Sequence, residues 1–582
     1  MVAGCVGATV DAPDSTPKAI RGRAVAPAAM AAYLHNLSEP DAAIRVANGV
    51  LTNFKIGGSD GVKLDAWIVR PKSEGKYPLV LEVTPYYSGG SPIPPQGLGS
   101  HAFGRIADIL VPRGYAYGIM SVRGTGNSEG CFTVMGAAEG KTTAAAIEAL
   151  AKQPWSNGNV GLVGVSYPGT TPQDAWVEAP PALKTIIPIS GISDLYKYSY
   201  VNGVHINQQG YAWTNGYSVR AGTLQYPTSW AASMPFTDPL GLPGTVVGEA
   251  CPEIVPFHAG AGQTAVTANK DAFWTERDLV KELKKVGEKP RPSVFYIHGL
   301  QDWNVKPHMM EDWLAALQES GVPLKIWLGQ WQHAWPAGQT CSTGPCRADW
   351  WEGALVAWLD QFLKGVDTGV LDGPAVQVQD DDGVWRHEPV WPPADATWRT
   401  WFPSAPGALL DAGPGQGKAS YVDERRPTTP AGTADQVVFR SEPVSDAMHV
   451  SGLPRFEGNV TASGRRASLI LTLAEEKADG TRRSFNFAAL SLNHAKDPAN
   501  GATDIAGLRQ RVGVNFFPQD DVVHVGSRLI LIASGGIVGG PGPGLLPLRD
   551  GSVITLDLEG SALTLPIDES IVPEVPAPYG GK

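Results

Sequence analysis

Ser166 lies in the stretch Gly161-Leu-Val-Gly-Val-Ser-Tyr-Pro-Gly-Thr170, an apolar run that ends in a serine between small residues. A serine hydroxyl is a weak nucleophile near neutral pH, so it needs exposure and a base beside it. A sharp strand–turn–helix elbow gives the exposure, and glycines around the serine permit the turn. Gly164 stands two residues before Ser166. The usual formula puts the second glycine at position 168, but here Pro168 takes that place and Gly169 follows it. Proline is tolerated in the first turn of a helix, where its missing N–H would be unpaired anyway. The elbow is therefore expected to survive the departure. In a chain with 68 glycines, a Gly-x-Ser match on its own is a weak signal.

The candidate partners strengthen it. Ser293-Val-Phe-Tyr-Ile297 is an apolar strand, and His298-Gly-Leu-Gln-Asp302-Trp-Asn follows. Leu324-Lys-Ile-Trp-Leu328 is another, followed by Gly-Gln-Trp-Gln-His333-Ala-Trp. Asp302 alone reads as a helix cap, and His333 alone as a loop histidine. Together they give serine, acid and histidine in the chain order of an α/β-hydrolase, each just after a strand. His298 precedes the acid and His308 lies in the helix after it. Both are expected to be structural, with His298 close to the site.

Positioning these residues requires a sheet. Pro78–Thr84, Tyr115–Val122, Val160–Val165 and Lys184–Ser190 read as short apolar strands, with an Ala-rich helix over Ala137–Lys152. Apolar strands separated by helical segments predict a parallel sheet covered on both faces. Residues 196–290 lose strand periodicity and are rich in Asn, Gln, Tyr, Trp and Pro, which predicts an inserted, mostly helical cap. The sheet pattern resumes at Ser293, with a helix over 307–320. Trp351, Leu355, Leu359 and Leu363 mark an amphipathic helix over 350–364. After about 370 helices almost vanish. Val376–Gln379, Val437–Arg440, Ala467–Leu473 and Arg528–Ala533 are short strands between turns, the pattern of a β-sandwich or jelly roll. The expected fold is α/β: a hydrolase domain (36–195 and 291–370), the cap (196–290) and a C-terminal β domain (371–582), behind an N-terminal tether (1–35).

Composition narrows the partners. A chain of 582 residues exceeds one ordinary core. A net charge of −11 offers no basic face for nucleic acid. No run is long enough to cross a bilayer as a helix. Val2-Ala3-Gly4-Cys5 fits the stretch before the lipidated cysteine of bacterial lipoproteins, although the apolar segment expected ahead of it is missing. Cys5 is thus a candidate lipidation site. Of the remaining cysteines, Cys341 and Cys346 are spaced to close a small loop, which leaves Cys131 with Cys251. Four free buried thiols are the competing reading. An even count suits an oxidising compartment, so an extracytoplasmic protein is expected, secreted or lipid-anchored at a bacterial cell surface. With no Cys-x-x-Cys pair and no His cluster, neither a metal nor a cofactor is expected. The 18 tryptophans are assigned mostly to packing.

Gly-Val-Ser-Tyr-Pro-Gly, Gly-Leu-Gln-Asp-Trp-Asn-Val-Lys-Pro and Gly-Gln-Trp-Gln-His resemble the Xaa-Pro dipeptidyl-peptidase and cocaine-esterase (CocE/NonD) group of serine hydrolases. The resemblance runs from about 50 to 560. It includes Gly114-Tyr115, Val122-Arg-Gly-Thr-Gly-Asn-Ser-Glu-Gly130 and Trp155-Ser-Asn-Gly-Asn-Val160. Ser121 departs from it, since relatives often carry Asp before the Arg-Gly pair. The resemblance implies that Ser166 is the nucleophile, His333 the general base and then acid, and Asp302 the residue that orients the imidazole. It implies an oxyanion hole from the backbone N–H of Tyr167 and a tyrosine hydroxyl, best matched by Tyr86, with Tyr87 as the fallback. It also implies that the late β region is a jelly roll that braces the catalytic domain.

Three functions compete. The first is a dipeptidyl-peptidase that releases Xaa-Pro from a free N-terminus through an acyl-enzyme. The Asp302-Trp-Asn loop and Tyr196-Lys-Tyr-Ser-Tyr-Val-Asn-Gly203 look more like this branch, with Trp303, Asn304 and Tyr167 lining the proline pocket. Asp194, Glu249, Glu253 and Glu276 are candidates to hold the peptide's amine. The second is a CocE-type esterase or α-amino acid ester hydrolase. The third, a non-catalytic surface protein that binds carbohydrate, fits poorly with the ordered triad. The expected partner is a peptide or a small ester or amide. The oligomeric state is open.

Overall fold

A computed structural model of the chain describes residues 44–46, 49–85, 106–126, 128–206, 267–283, 291–336, 348–423, 435–536, 545–546 and 551–569. In chain order the first strands are β1 (Ile44–Val46), β2 (Gly49–Gly57), β3 (Lys63–Arg70), β4 (Tyr77–Thr84), β5 (Ala116–Ser121), β6 (Ser156–Val165) and β7 (Leu183–Ile189). They are followed by β8 (Tyr200–Val201), β9 (Val204–Ile206), β10 (Ser293–Gly299), β11 (Leu324–Gly329), β12 (Val376–Gln379) and β13 (Trp385–Glu388). Eleven of these form one sheet in the order β1-β2-β3-β5-β4-β6-β7-β10-β11-β12-β13. From β5 to β12 every neighbouring pair is parallel.

Alternation along the strands explains why both faces are covered. Leu79, Leu81 and Val83 point to one core and Val80 to the other; Tyr296 and Phe295 divide in the same way, as do Leu328 and Trp327. The first face packs α1 (Ala137–Ala151), α2 (Tyr167–Glu178) and α3 (His308–Glu319). The second packs α4 (Ala348–Leu359), where Trp351, Leu355 and Leu359 are buried as the heptad-like spacing predicts. Leu363 follows in a π-turn over Asp360–Lys364.

The four apolar strands expected between 78 and 190 are parallel to one another, but three antiparallel strands precede them: β1, β2 and β3, with β3 also antiparallel to β5. The link between β2 and β3 is too short for the crossover that a parallel pair needs. Val376–Gln379 was expected to open the β domain. Instead it pairs in parallel with β11, and β13 then pairs antiparallel with it, so the catalytic sheet continues to Glu388. Val376 and Val378 are fully buried in the core of that sheet.

Beyond Thr397, twelve strands form a nearly closed, almost wholly antiparallel sheet, consistent with a β-sandwich. Its core includes Trp401, Phe439, Leu471, Leu531, Leu556 and Leu565, contributed by five strands. Most of the cap lies outside the described residues. Its flanks hold the short helices Leu195–Ser199, Ala272–Glu276 and Leu279–Leu283, together with the β8–β9 hairpin. Leu545–Leu546 of the β region adds a third strand to that hairpin. Among the described residues, no helix is long and apolar enough to cross a membrane.

Candidate active site

Ser166 sits between the end of β6 and the first residue of α2, with φ 70° and ψ −128°. A side-chain-bearing residue at positive φ is strained, and here the strain presents the hydroxyl at the top of the sheet. The Ser166 N–H donates to the Ile189 carbonyl at 3.0 Å, and its own carbonyl accepts from Gly169 and Thr170 at 2.8 and 3.0 Å. The displaced glycine pattern now has a physical account. A Cβ on Gly164 would lie 2.5 Å from the Pro168 ring, and one on Gly169 would lie 2.4 Å from the Ile189 carbonyl. Glycine is needed where strand and helix touch, and Pro168 fits in the opening turn.

β10 and β11 are parallel neighbours, and β7 connects them to β6. The loops carrying Ser166, Asp302 and His333 therefore leave the same carboxyl edge of the sheet. Asp302 is fully buried. Its Oδ1 accepts the backbone N–H groups of Asn304 and Val305, both at 2.9 Å, and its Oδ2 lies 2.7 Å from His333 Nδ1. Burial pushes the Asp302 carboxyl up, but the charge and hydrogen bond of His333 outweigh it and hold the group below its ordinary value. With Nδ1 donating to the carboxylate, Nε2 is the nitrogen with the lone pair. That Nε2 is buried and has no hydrogen-bond partner among the described residues. Such an arrangement can accept a proton from a hydroxyl and stabilise the resulting imidazolium.

The other histidines of this region are structural. His298 is buried, with Nε2 donating to the Val305 carbonyl at 2.8 Å and Nδ1 3.3 Å from the Tyr296 hydroxyl. His308 Nε2 donates to the Lys197 carbonyl at 2.9 Å, and its ring packs on Phe517.

Tyr167 opens α2, so its N–H faces out of the helix N-terminus. Its side chain is held from behind. The hydroxyl donates to Glu139 Oε2 at 2.6 Å and accepts the Met135 N–H at 2.8 Å. Burial pushes the Glu139 carboxyl up. Asn304 accepts from the Tyr198 hydroxyl at 2.9 Å, and the Trp303 ring packs on Phe487 and Phe517 of the β region. Tyr86, Tyr87, Cys5, Cys251, Cys341, Cys346, Glu249 and Glu253 lie outside the described residues. Cys131 is disulfide-bonded. Of the remaining amine-anchor candidates, Asp194 caps the Leu195–Ser199 helix and pairs with Lys270 at 2.8 Å, while Glu276 pairs with Arg277.

Sequence reasoning passed over Lys306. It is fully buried, and its Nζ donates to the carbonyls of Tyr198 and Asn304 at 3.0 and 2.8 Å. Burial pushes its ammonium down to about 7. A lysine within an otherwise apolar stretch, Val305-Lys-Pro, was the available signal. No group of three or more His, Cys, Asp or Glu among the described residues could hold a metal ion.

Two family models match the chain. One, described as X-Pro dipeptidyl-peptidase (S15 family), covers residues 60–335; the other, the X-Pro dipeptidyl-peptidase C-terminal non-catalytic domain, covers 368–543. The chain belongs to this S15 family. A putative Xaa-Pro dipeptidyl-peptidase of Bacillus cereus is 33% identical over 352 residues, which is 56% of this chain and 55% of the relative. The chain spans just over half the length of the Bacillus relatives it matches. An aminopeptidase from a marine sediment Thaumarchaeota archaeon shares the fold at TM-score 0.70 and 18% identity, covering 89% of this chain and 96% of that one. An α-amino acid ester hydrolase shares it at TM-score 0.69 and 20% identity, covering 92% and 99%. Both likenesses speak to the fold alone, an α/β hydrolase with a C-terminal β domain.

Proposed function

We propose that the chain is a serine hydrolase that removes Xaa-Pro dipeptides from the free N-terminus of peptides. The observation that carries the chemistry is the 2.7 Å hydrogen bond between Asp302 and His333, at the sheet edge where the strained Ser166 elbow ends. Ser166 Oγ attacks the prolyl carbonyl while His333 Nε2 takes its proton. Asp302 holds the imidazole and balances the charge that forms on it. The Tyr167 N–H and the Tyr86 hydroxyl donate to the oxyanion. His333 then returns the proton to the leaving amine, and the dipeptide is left as an ester on Ser166. Water activated by His333 releases it.

Two family models of this peptidase, matching in tandem, support the substrate class. An Xaa-Pro unit has no N–H at proline and a fixed kink, so an apolar slot can select it. Trp303 and Asn304 form part of that slot's wall, held in place by Phe487, Phe517 and Tyr198. The β region is read as a jelly roll. The Cys131 disulfide supports an extracytoplasmic location, and Cys5 is the proposed lipid-anchor site.

Three substrates test the reading: Ala-Pro-p-nitroanilide, its N-acetyl form and a p-nitrophenyl ester. Rapid cleavage of the first alone is expected. Equal cleavage of the free and acetylated peptides overturns the dipeptidase, because recognition of the amine defines it. Turnover of esters alone makes the chain an ester hydrolase with the same triad. A Ser166→Ala variant that keeps full activity overturns the nucleophile assignment.

A further inference from the structure

The β region reaches the two loops that carry Asp302 and His333. Gln519 and Asp520 begin the strand Gln519–Val523. Gln519 is fully buried, and its Nε2 donates at 2.7 Å to the carbonyl of Leu300, two residues before Asp302. Its Oε1 is buried with no hydrogen-bond partner among the described residues. An apolar residue of similar size would remove that orphaned oxygen but leave the Leu300 carbonyl unpaired in its place, so the two desolvation costs offset. Stability alone does not account for a glutamine here.

The next carbonyl, that of Asp520, accepts from Nε2 of Gln330 at 3.0 Å. Gln330 stands three residues before His333 and is fully buried. The same Nε2 donates to the Gln379 carbonyl at 3.1 Å, and the Gln330 Oε1 accepts from Gln301 at 2.9 Å. Gln301 is the residue before Asp302. One amide thus joins the histidine loop, the acid loop, the end of β12 and the β region. Backbone bonds from Leu300 to Gly329 (2.8 Å) and from Gln301 to Trp331 (3.2 Å) hold the two loops side by side. The strand they lean on is itself fixed, because the Asp520 carboxylate accepts from Arg386, His449 and Ser451 at 2.5–2.7 Å.

We propose that Gln519 is a positioning residue which, together with Gln330, lets the β region set the placement of Asp302 against His333. The inference rests on the triad reading above. It makes the C-terminal region part of the catalytic centre's support, although it supplies no reacting group.

The test uses the full chain and a fluorophosphonate, which phosphonylates an activated serine and needs no known substrate. Maximal labelling rate, probe affinity and unfolding temperature are measured for the native chain, Ser166→Ala, Gln519→Leu and Gln519→Asn, whose amide is too short to reach Leu300. Ser166→Ala should not label. Both Gln519 variants should lose about tenfold or more in maximal rate, with probe affinity changed by less than about twofold. Gln519→Leu should unfold close to the native chain, since it trades one unpaired buried oxygen for another. Labelling at the native maximal rate in either folded variant overturns the positioning role while leaving the triad intact. A rate loss that only tracks a lowered unfolding temperature overturns it too. A folded native chain that does not label overturns the triad reading, and this inference with it.

Discussion

Holding Ser166 at φ 70° costs about 1–3 kcal/mol of backbone strain, which a glycine at the same position would avoid. Ser166→Gly and Ser166→Ala should both be inactive, but the glycine variant should be the more stable by up to about 1 kcal/mol. Thermal denaturation of the pair checks this; equal unfolding temperatures would mean that the elbow carries no strain. Asp302→Asn keeps the shape of the acid but removes the charge opposite His333 Nδ1, 2.7 Å away. Its kcat on the cleaved substrate should fall about 10⁴-fold, as expected when the wrong imidazole tautomer is favoured. Steady-state kinetics checks it, and a loss below tenfold would remove Asp302 from the site. At this scale the sequence made the triad legible, because the order Ser166, Asp302, His333 and the strand before each are local patterns. Lys306 and Glu139 were not legible. Their meaning lies in partners far along the chain, such as Tyr198 for the one and Tyr167 for the other.

The strands that carry the site were legible from alternation and length, and β4, β6, β7, β10 and β11 fall where the apolar runs lie. The membership of β12 was not. Val-Gln-Val-Gln alternates equally well at the edge of a parallel sheet or inside a sandwich, and only pairing with β11 decides. Within β4 the sequence also hides a liability. Glu82 is buried near the middle of the sheet, where it accepts from the Tyr117 hydroxyl at 3.2 Å. Burial pushes its carboxyl from 4.5 up to about 8. The folded protein therefore keeps this proton over a range in which the unfolded chain has lost it. This contribution to stability is complete below about 4.5 and is lost as pH rises through about 8. Within that window the loss is about 1.4 kcal/mol per pH unit. Glu82→Gln, which cannot ionise, should show a flatter fall in unfolding temperature between pH 5 and 9 than the native chain. Parallel curves would mean that Glu82 is ionised in the fold or does not matter to it.

At the scale of the molecule, the catalytic sheet and the β region meet on charge as well as on apolar surface. Arg386, on β13 of the first sheet, donates through both terminal nitrogens to Asp520 of the second, and its Nε lies 2.9 Å from Glu388. His449 and Ser451 also donate to Asp520, at 2.7 Å each, and the Trp391 indole N–H reaches its Oδ2 at 3.5 Å. Every one of these side chains is buried. Burial alone would push the Asp520 carboxyl up, but the charges of Arg386 and His449 hold it well below its ordinary value. This junction was not legible in the sequence, because its members are scattered from position 386 to 520 and each reads alone as an ordinary surface residue. Removing the cation strands a buried carboxylate, and breaking such pairs typically costs about 3–5 kcal/mol. Arg386→Met should therefore unfold well below the native chain at pH 7. The deficit has a direction in pH. In the native chain the depressed Asp520 carboxyl contributes stability above its ordinary 3.8, lost only as pH falls through its lowered folded value. In the variant that carboxyl takes a proton more readily, and His449, already pushed up by Asp520, can carry the compensating charge. The gap between the two unfolding temperatures should narrow as pH falls from 8 to 5. A gap that stays constant or widens would mean that the junction is held by packing and not by this ion pair.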